Sequence, residues 1–371
     1  MSKSVSFVVI GDPHIKIENL KEFDQFIDKL VNLIFEKNPN FIVILGDILH
    51  NHERIHTITL NKAYEFIDRL RKITKTFVLV GNHDMISCSQ FLSENHWMNA
   101  LKEWDNITIV DKIVKETIVI ENKENTFYFA PYVPPGRFIE ALNTYDTEWK
   151  DASIIFAHQE FFGCKMGAIV SVEGDRWDTS YPEIISGHIH SRQFIQNNIY
   201  YTGSAMQNAF GESEKNIIAY VTQCKDSKYK LEEIELNLPR KKIVYMKVDD
   251  LEDYKIKNTQ DEYKLSISGN YEEFKAIKKT KKFKELEKSG VKIVFKASKI
   301  ETKLNDELRN ELKTELDNRN DIVNEYNNEL NENNFEDILK VLISKEYNED
   351  LNKDYELVIH NRVVNDDIMF I

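Results

Sequence analysis

Apolar residues fall in three textures along the chain, and each predicts a different part of the fold. In the first, unbroken apolar runs alternate with helical spacing. Ser6–Ile10, Phe41–Leu45 and Phe77–Val80 are short and continuous, as fully buried strands are. Between the first two, Leu20, Phe23, Phe26, Ile27, Leu30, Leu33 and Ile34 recur every three or four residues. That spacing predicts an amphipathic helix, stopped by Pro39 and Asn40. Ala63, Phe66, Ile67, Leu70 and Ile73 predict a second helix before the third strand. The β-α-β-α-β order predicts a parallel sheet that gathers ligands at the carboxyl ends of its strands.

After Ile107 the runs become shorter. Thr117–Ile120, Phe127–Ala130, Ser153–Ala157, Ile184–Ser186, Ile199–Thr202 and Ile217–Val221 are expected to be strands of a second sheet packed on the first. Pro134-Pro135-Gly136 marks a turn, and Phe161 to Trp177 is expected to be a long loop. A third texture begins at Leu238-Pro239-Arg240-Lys241-Lys242. Strands Ile243–Val248, Tyr263–Ser268 and Val291–Lys296 with a helix over Tyr271–Lys288 make a small α/β module. Its helix carries Lys275, Lys278, Lys279, Lys281, Lys282, Lys284 and Lys288, either a solvated face or a surface for a phosphate backbone. Beyond it, Leu304, Leu308, Leu312 and Leu316 form a leucine stripe, followed by an apolar segment at Phe335, Ile338, Leu339, Val341, Leu342 and Ile343. Both are candidate helical faces, for the chain's own core or for a partner. The expected division is therefore 1–239, 240–300 and a helical tail 301–371.

Composition narrows the picture. The 371 residues are 42% apolar, which fits a folded soluble protein with one large domain and smaller additions. No run approaches the roughly 18 apolar residues of a membrane span, and Met1-Ser2-Lys3-Ser4-Val5 leaves no room for a signal peptide before the first strand. Cys88, Cys164 and Cys224 are scattered and odd in number, so a reduced, cytoplasmic location without membrane association is expected. A formal net charge of −13 argues against nonspecific nucleic-acid binding by the surface as a whole, but not against a local basic groove. There are no internal repeats, and no Gly-x4-Gly-Lys-Ser/Thr phosphate loop appears.

The strand-like runs end in residues that bind metals. Asp12-Pro13-His14, Gly46-Asp47-Ile48-Leu49-His50 and Gly81-Asn82-His83-Asp84 follow the first three. His158 closes Ile154-Ile155-Phe156-Ala157, and Gly187-His188-Ile189-His190 comes later. Singly these motifs also occur in ordinary turns. Together, Asp12, His14, Asp47, Asn82, His158, His188 and His190 supply enough donors for two divalent cations, with Asp47 on the central loop as the candidate bridge. Mixed imidazole and oxygen donors suit Mn²⁺, Fe²⁺ or Zn²⁺ better than Mg²⁺ or Ca²⁺. Two such cations bring four positive charges and the two aspartates return two negative ones, which favours an anionic substrate such as a phosphate ester. His83, beside the donors, is placed to stabilise developing charge or protonate the leaving oxygen. Asp84 is expected to orient the His83 ring.

The ordered set Asp-x-His, Gly-Asp, Gly-Asn-His-Asp, His and Gly-His-x-His resembles the calcineurin-like metallophosphoesterase superfamily. Within it the chain is most similar to SbcD-type double-strand-break repair nucleases. Gly46-Asp47-Ile48-Leu49-His50, Ala157-His158-Gln159 and Tyr201-Thr202-Gly203-Ser204 followed by Phe210-Gly211-Glu212 carry that likeness, with Thr202 standing where those proteins usually have proline. The resemblance implies an αββα sandwich of two packed mixed sheets flanked by helices, with the α/β module as a capping domain. It implies one metal on Asp12, His14, Asp47 and His190, and another on Asp47, Asn82, His158 and His188. His83 and Asp84 would be the catalytic pair and His50 an accessory histidine. Two Mn²⁺ ions, DNA as substrate and an SbcC-type coiled-coil ATPase as partner follow from the same likeness, with room for a homodimer. His52 and His56 match no family position and are expected to be surface residues. The competing functions are a phosphatase or nucleotide phosphodiesterase acting on a small substrate, and a non-catalytic scaffold.

Overall fold

The computed structural model describes residues 4–51, 54–120, 123–213, 215–224, 229–258 and 260–297. Strands β1 (Ser4–Ile10), β2 (Phe41–Ile44), β3 (Lys75–Leu79) and β4 (Ile107–Val110) run parallel, joined through helices α1 (Leu20–Lys37) and α2 (Thr57–Arg71). Asn38 ends α1 in the left-handed region (φ 44°), its N–H donating to the Ile34 carbonyl, one residue before the expected Pro39 stop. The second sheet, in the order β11-β12-β10-β7-β6-β5, comprises Gln193–Ile195, Ile199–Tyr201, Glu183–Gly187, Ile154–His158, Lys123–Phe129 and Val114–Ile120.

Side-chain alternation explains how the layers stack. Val5, Phe7, Val9, Phe41, Val43, Leu45, Phe77 and Leu79 point from the first sheet toward Phe127, Phe129, Ile154, Phe156 and Ile185 of the second. Phe77 stacks on Phe129 at 4.0 Å and Phe129 on Phe156 at 5.0 Å. Their neighbours Val8, Ile10, Ile42, Ile44 and Val78 point the other way, onto Phe23, Phe26, Ile27, Leu30, Ala63, Phe66 and Ile67 of the two helices. On the far side, Tyr128, Ile155 and Ile184 pack against Trp149, Trp177 and the short helix α3 (Phe138–Asn143). The architecture is α/β, two mixed sheets between helical layers.

Three expectations require correction. The segment predicted at Ile217–Val221 does not join the second sheet. It forms β13 (Ile218–Cys224), antiparallel to β1, and brings β14 (Tyr229–Ile234) to the edge of the first. An apolar run states that a strand is buried, not which sheet buries it. The segment from Phe161 to Trp177 is not a plain loop, because Lys165–Met166 (β8) and Ile169–Val170 (β9) pair as a small hairpin. In the α/β module, made of β15 (Lys241–Lys247), β16 (Glu262–Gly269) and β17 (Lys292–Ala297), the single helix expected over Tyr271–Lys288 is two, α4 (Tyr271–Ile277) and α5 (Lys281–Lys288). Thr280 divides them by accepting from the Phe283 N–H as the cap of α5. The lysines of these helices lie among Glu272, Glu273, Glu285 and Glu287, with Lys275 and Lys281 paired to glutamates one turn away.

The module has its own apolar cluster, including Leu251, Tyr263, Leu265, Ile267, Phe274, Phe283 and Leu286, within the same compact unit as the two sheets. No helix among the described residues is long and apolar enough to cross a membrane. The leucine stripe at 304–316, the segment at 335–343 and His52 lie outside the described residues.

Candidate metal centre

The carboxyl ends of both parallel strand sets open at the same edge of the sandwich. β1, β2 and β3 deliver Asp12 and His14, Asp47, and Asn82 with His83. In the second sheet Gly187 of β10 pairs beside His158 of β7, which places His188 next to His158. The loops cross-link at once: His14 N–H donates to the Asp47 carbonyl (3.0 Å), His188 N–H to Asp12 Oδ1 (2.8 Å) and His83 N–H to Asp47 Oδ1 (2.9 Å). Asp12, His14, Asp47 and His188 all hold positive φ, at 32°, 45°, 50° and 78°. Left-handed non-glycine residues cost about 1–3 kcal/mol each, and they collect where side chains must be aimed.

The two glycines before the ligands are required by contact. A Cβ on Gly81 would lie 2.2 Å from Asp47 Oδ1 and 2.9 Å from His158 Cε1. Gly46 sits at φ +106°, and its Cβ would meet His158 Nδ1 at 2.7 Å. These glycines let the loops close until their ligand atoms converge.

The donors form two groups. In one, Asn82 Oδ1 lies 3.0 Å from His158 Nε2 and 2.9 Å from His188 Nδ1, with Asp47 Oδ1 3.3 Å from His158 Nε2. In the other, His14 Nε2 lies 2.8 Å from His190 Nε2 and 3.6 Å from Asp47 Oδ2. The ligand atoms of Asp12, His14 and Asp47 all fall within 4.8 Å of one another, as do those of Asp47, His158 and His188. Asp47 thus turns one oxygen to each group. Asp12 Oδ2 is buried and has no hydrogen-bond partner, an arrangement that is costly unless a cation takes the oxygen. The imidazoles are set as ligands: His158 Nδ1 donates to the Leu45 carbonyl at 2.7 Å and His190 Nδ1 faces Glu212 Oε1 at 3.3 Å, leaving Nε2 of each ring for the site. These residues fit two divalent cations sharing Asp47.

Electrostatics divides the four histidines. Burial, offset only in part by Asp47, holds His14 well below the ordinary imidazole range, and burial with His158 pushes His188 down to about 3. At His158 burial is overridden by Asp47 and Asp12, which raise it to about 9. His190 is also raised, since its bond to Glu212 and the charge of Asp12 outweigh burial. At neutral pH the metal-free site therefore carries a proton on His158 and none on His14 and His188. A cation must displace that proton, so affinity falls as pH drops, by about tenfold per pH unit for each displaced proton. Adding Mn²⁺ to metal-free protein at pH 7 in dilute buffer should release about one proton per chain from His158. Hydrolysis lost on acidification should return with excess Mn²⁺.

Asp84, expected to orient the His83 ring, makes its hydrogen bonds elsewhere. Asp84 Oδ1 accepts from Trp97 Nε1 (2.9 Å) and the Ile48 N–H (3.2 Å), and Oδ2 from the Gly81 N–H (3.0 Å). It ties the second and third ligand loops together rather than orienting a ring. Burial and the neighbouring Asp47 raise it to about 6, against the pull of the Trp97 bond. The His83 ring is oriented by the carbonyl of His50, 2.6 Å from its Nδ1. His50 also stacks its ring on His83 (5.8 Å) and meets His14 edge-on (5.4 Å). His56, expected at the surface, accepts the Ile58 N–H through Nδ1 and caps α2.

Sequence reasoning passed over two residues. Trp97 gave no signal, being one aromatic in a loop. Glu212 stood inside Phe210-Gly211-Glu212 without an assigned role. Its Oε2 accepts from the Asn208 (2.6 Å) and Ala209 (3.0 Å) N–H groups while Oε1 faces His190, which overrides burial and keeps it below the usual carboxylate range. Glu212→Gln should weaken metal binding about 10- to 100-fold without unfolding the chain, as read by Mn²⁺ titration alongside a melting curve.

Sandwich and donors together define the class: a hydrolase core presenting two cation sites joined by one carboxylate. The family model for calcineurin-like phosphoesterases matches residues 5–192, and the chain belongs to that family, which uses a dimetal site to hydrolyse phosphoesters. It is similar to the protein named "Putative phosphoesterase 078R" of Invertebrate iridescent virus 3, 47% identical over 298 residues, 79% of this chain and 84% of the relative. "Putative phosphoesterase 244L" of Invertebrate iridescent virus 6 is 49% identical over 277 residues, 73% of this chain and 96% of the relative. Among solved structures, a dimetal phosphatase from Danio rerio overlies 63% of this chain and 97% of its own at 12% identity, with a TM-score of 0.40.

Proposed function

We propose that this phosphoesterase is a Mn²⁺-dependent DNA nuclease that works in repair or recombination beside a coiled-coil ATPase. The observation that carries the reading is the dual role of residues 207–212. Glu212 braces the ligand His190, while Gln207 exchanges hydrogen bonds with the Lys241 backbone (2.7 and 3.1 Å) and Phe210 lies under Lys292 (5.3 Å). Lys241 and Lys292 belong to the α/β module, so the segment that resembles the nuclease signature also fastens that module beside the metal ligands. A module held there extends the surface a substrate can follow away from the scissile bond, which a small phosphate ester does not use.

Bound at these donors, two divalent cations supply charge neutralisation at the phosphoryl oxygens and lower the pKa of water toward neutrality. The chain's own residues do the rest. Asp12 and Asp47 leave the loaded site cationic toward a phosphodiester. His83, with Nδ1 donating to the His50 carbonyl, gives a proton from Nε2 to the departing oxygen. Asp84 and Trp97 keep the Asn82–His83 loop in register with the Asp47 loop.

The test is hydrolysis with Mn²⁺ of linear duplex DNA, single-stranded DNA, bis-p-nitrophenyl phosphate and p-nitrophenyl phosphate. Cleavage of DNA and the diester, with the monoester nearly untouched, is expected. Preference for the monoester would instead establish a phosphatase. The ATPase partner is proposed from the resemblance and from the absence of a phosphate-loop motif in the sequence. Co-purification of the full chain with such an ATPase checks it.

A further inference from the structure

A polar cavity of about 310 Å³ opens beside the metal centre, lined by Ile15, Lys16, Leu49, His50, His56 and Thr59 among others. Its volume is at the small end of ligand sites, which run from about 300 to 1,000 Å³. One wall is His50, whose ring stacks on His83 and whose carbonyl orients it. The cavity therefore adjoins the side of the site where the leaving group departs. On its lining stands Lys16, two residues beyond the ligand His14. Lys16 is half-buried, and its ammonium donates to the Asn208 carbonyl at 2.8 Å. Among the described residues no carboxylate lies within ion-pair distance of it, and Glu212 is the strongest opposite charge acting on it from farther away. Glu18, also on the lining, is exposed at the outer rim. Behind the cavity α2 begins, its Ile58 N–H capped by His56 Nδ1. A half-buried lysine on the lining, with apolar Ile17 and Ile55 alongside, suits a phosphate joined to a sugar.

We infer that this cavity is the subsite for the nucleotide on the leaving-group side, with Lys16 binding the phosphate one linkage beyond the scissile bond. The inference rests on the nuclease reading. It makes Lys16 a specificity determinant, because a substrate without a second phosphate has nothing to place there. The main chain on both sides of the subsite is already held by ligand loops, so the leaving strand meets a preformed surface. Lys16 thereby favours polynucleotides over isolated diesters through one charge-assisted contact.

The test uses single-stranded 20-mers carrying one neutral methylphosphonate linkage, walked along the strand, with Mn²⁺ and with cut positions read on a gel. In the wild-type protein, the bond whose leaving-side neighbour is neutral should be cut roughly tenfold more slowly than the same bond in the all-phosphate strand. In Lys16→Met that difference should vanish, and Lys16→Arg should restore it. Metal content of each variant confirms that the neighbouring His14 loop is intact. Equal sensitivity in wild type and Lys16→Met, or no sensitivity at any linkage in the wild type, overturns the subsite. Turnover of bis-p-nitrophenyl phosphate with no cleavage of any 20-mer overturns the nuclease reading itself.

Discussion

Asp47→Asn should empty both cation sites at once and lower hydrolysis by about 10³-fold or more, roughly 4 kcal/mol of barrier. The expectation follows from how one side chain is shared. Its Oδ1 lies with Asn82, His158 and His188, and its Oδ2 with His14. An amide keeps the shape but loses one oxygen and the negative charge that both groups depend on. It also withdraws the carboxylate that holds His158 charged in the metal-free protein, so proton release on adding Mn²⁺ should shrink. Metal analysis should fall from two ions per chain to less than one. A variant that still held two ions would show that the groups do not share this residue.

The layout that makes Asp47 central was legible in the chain because parallel sheets send strand ends to one edge. Three apolar runs followed by Asp12, Asp47 and Asn82 implied that edge before any coordinates. The candidate donors were legible too, since few residue types bind divalent cations, and the fold brings those side chains together. What stayed hidden were contacts between distant loops. Nothing in Gly-Asn-His-Asp says that Asp84 bonds to Trp97 and the Ile48 backbone instead of to its neighbour. A carboxylate next to a histidine in sequence points to a different place from the ring once the loop turns. The placement of β13 in the first sheet was hidden for a related reason, because its apolar run fits either sheet and only pairing with β1 decides. Lys16 carried no signal in the sequence; only the fold sets it beside His50, with its ammonium donating to the Asn208 carbonyl.

His83→Asn should separate proton transfer from metal binding. The ring is fixed by the His50 carbonyl and by contacts with the His14 and His50 rings; its ligand atom falls within 4.8 Å of those of His14 and His50, but outside the Asp47, His158 and His188 group and the Asp12, His14 and Asp47 group. The variant should keep both ions and lose about 10²- to 10⁴-fold in turnover on the proposed substrate, DNA, the usual contribution of general acid–base catalysis. The size of the loss should depend on the leaving group. An alkoxide departing from DNA is a strong base and needs a proton as its bond to phosphorus breaks. p-Nitrophenolate is a weak base and departs without one. The same substitution should therefore cost far less on bis-p-nitrophenyl phosphate than on an oligonucleotide. Parallel rate measurements on the two substrates, with metal content determined on the same samples, decide the point. Equal losses on both substrates with two ions still bound would mean that His83 stabilises charge on the phosphoryl group and gives no proton to the leaving oxygen.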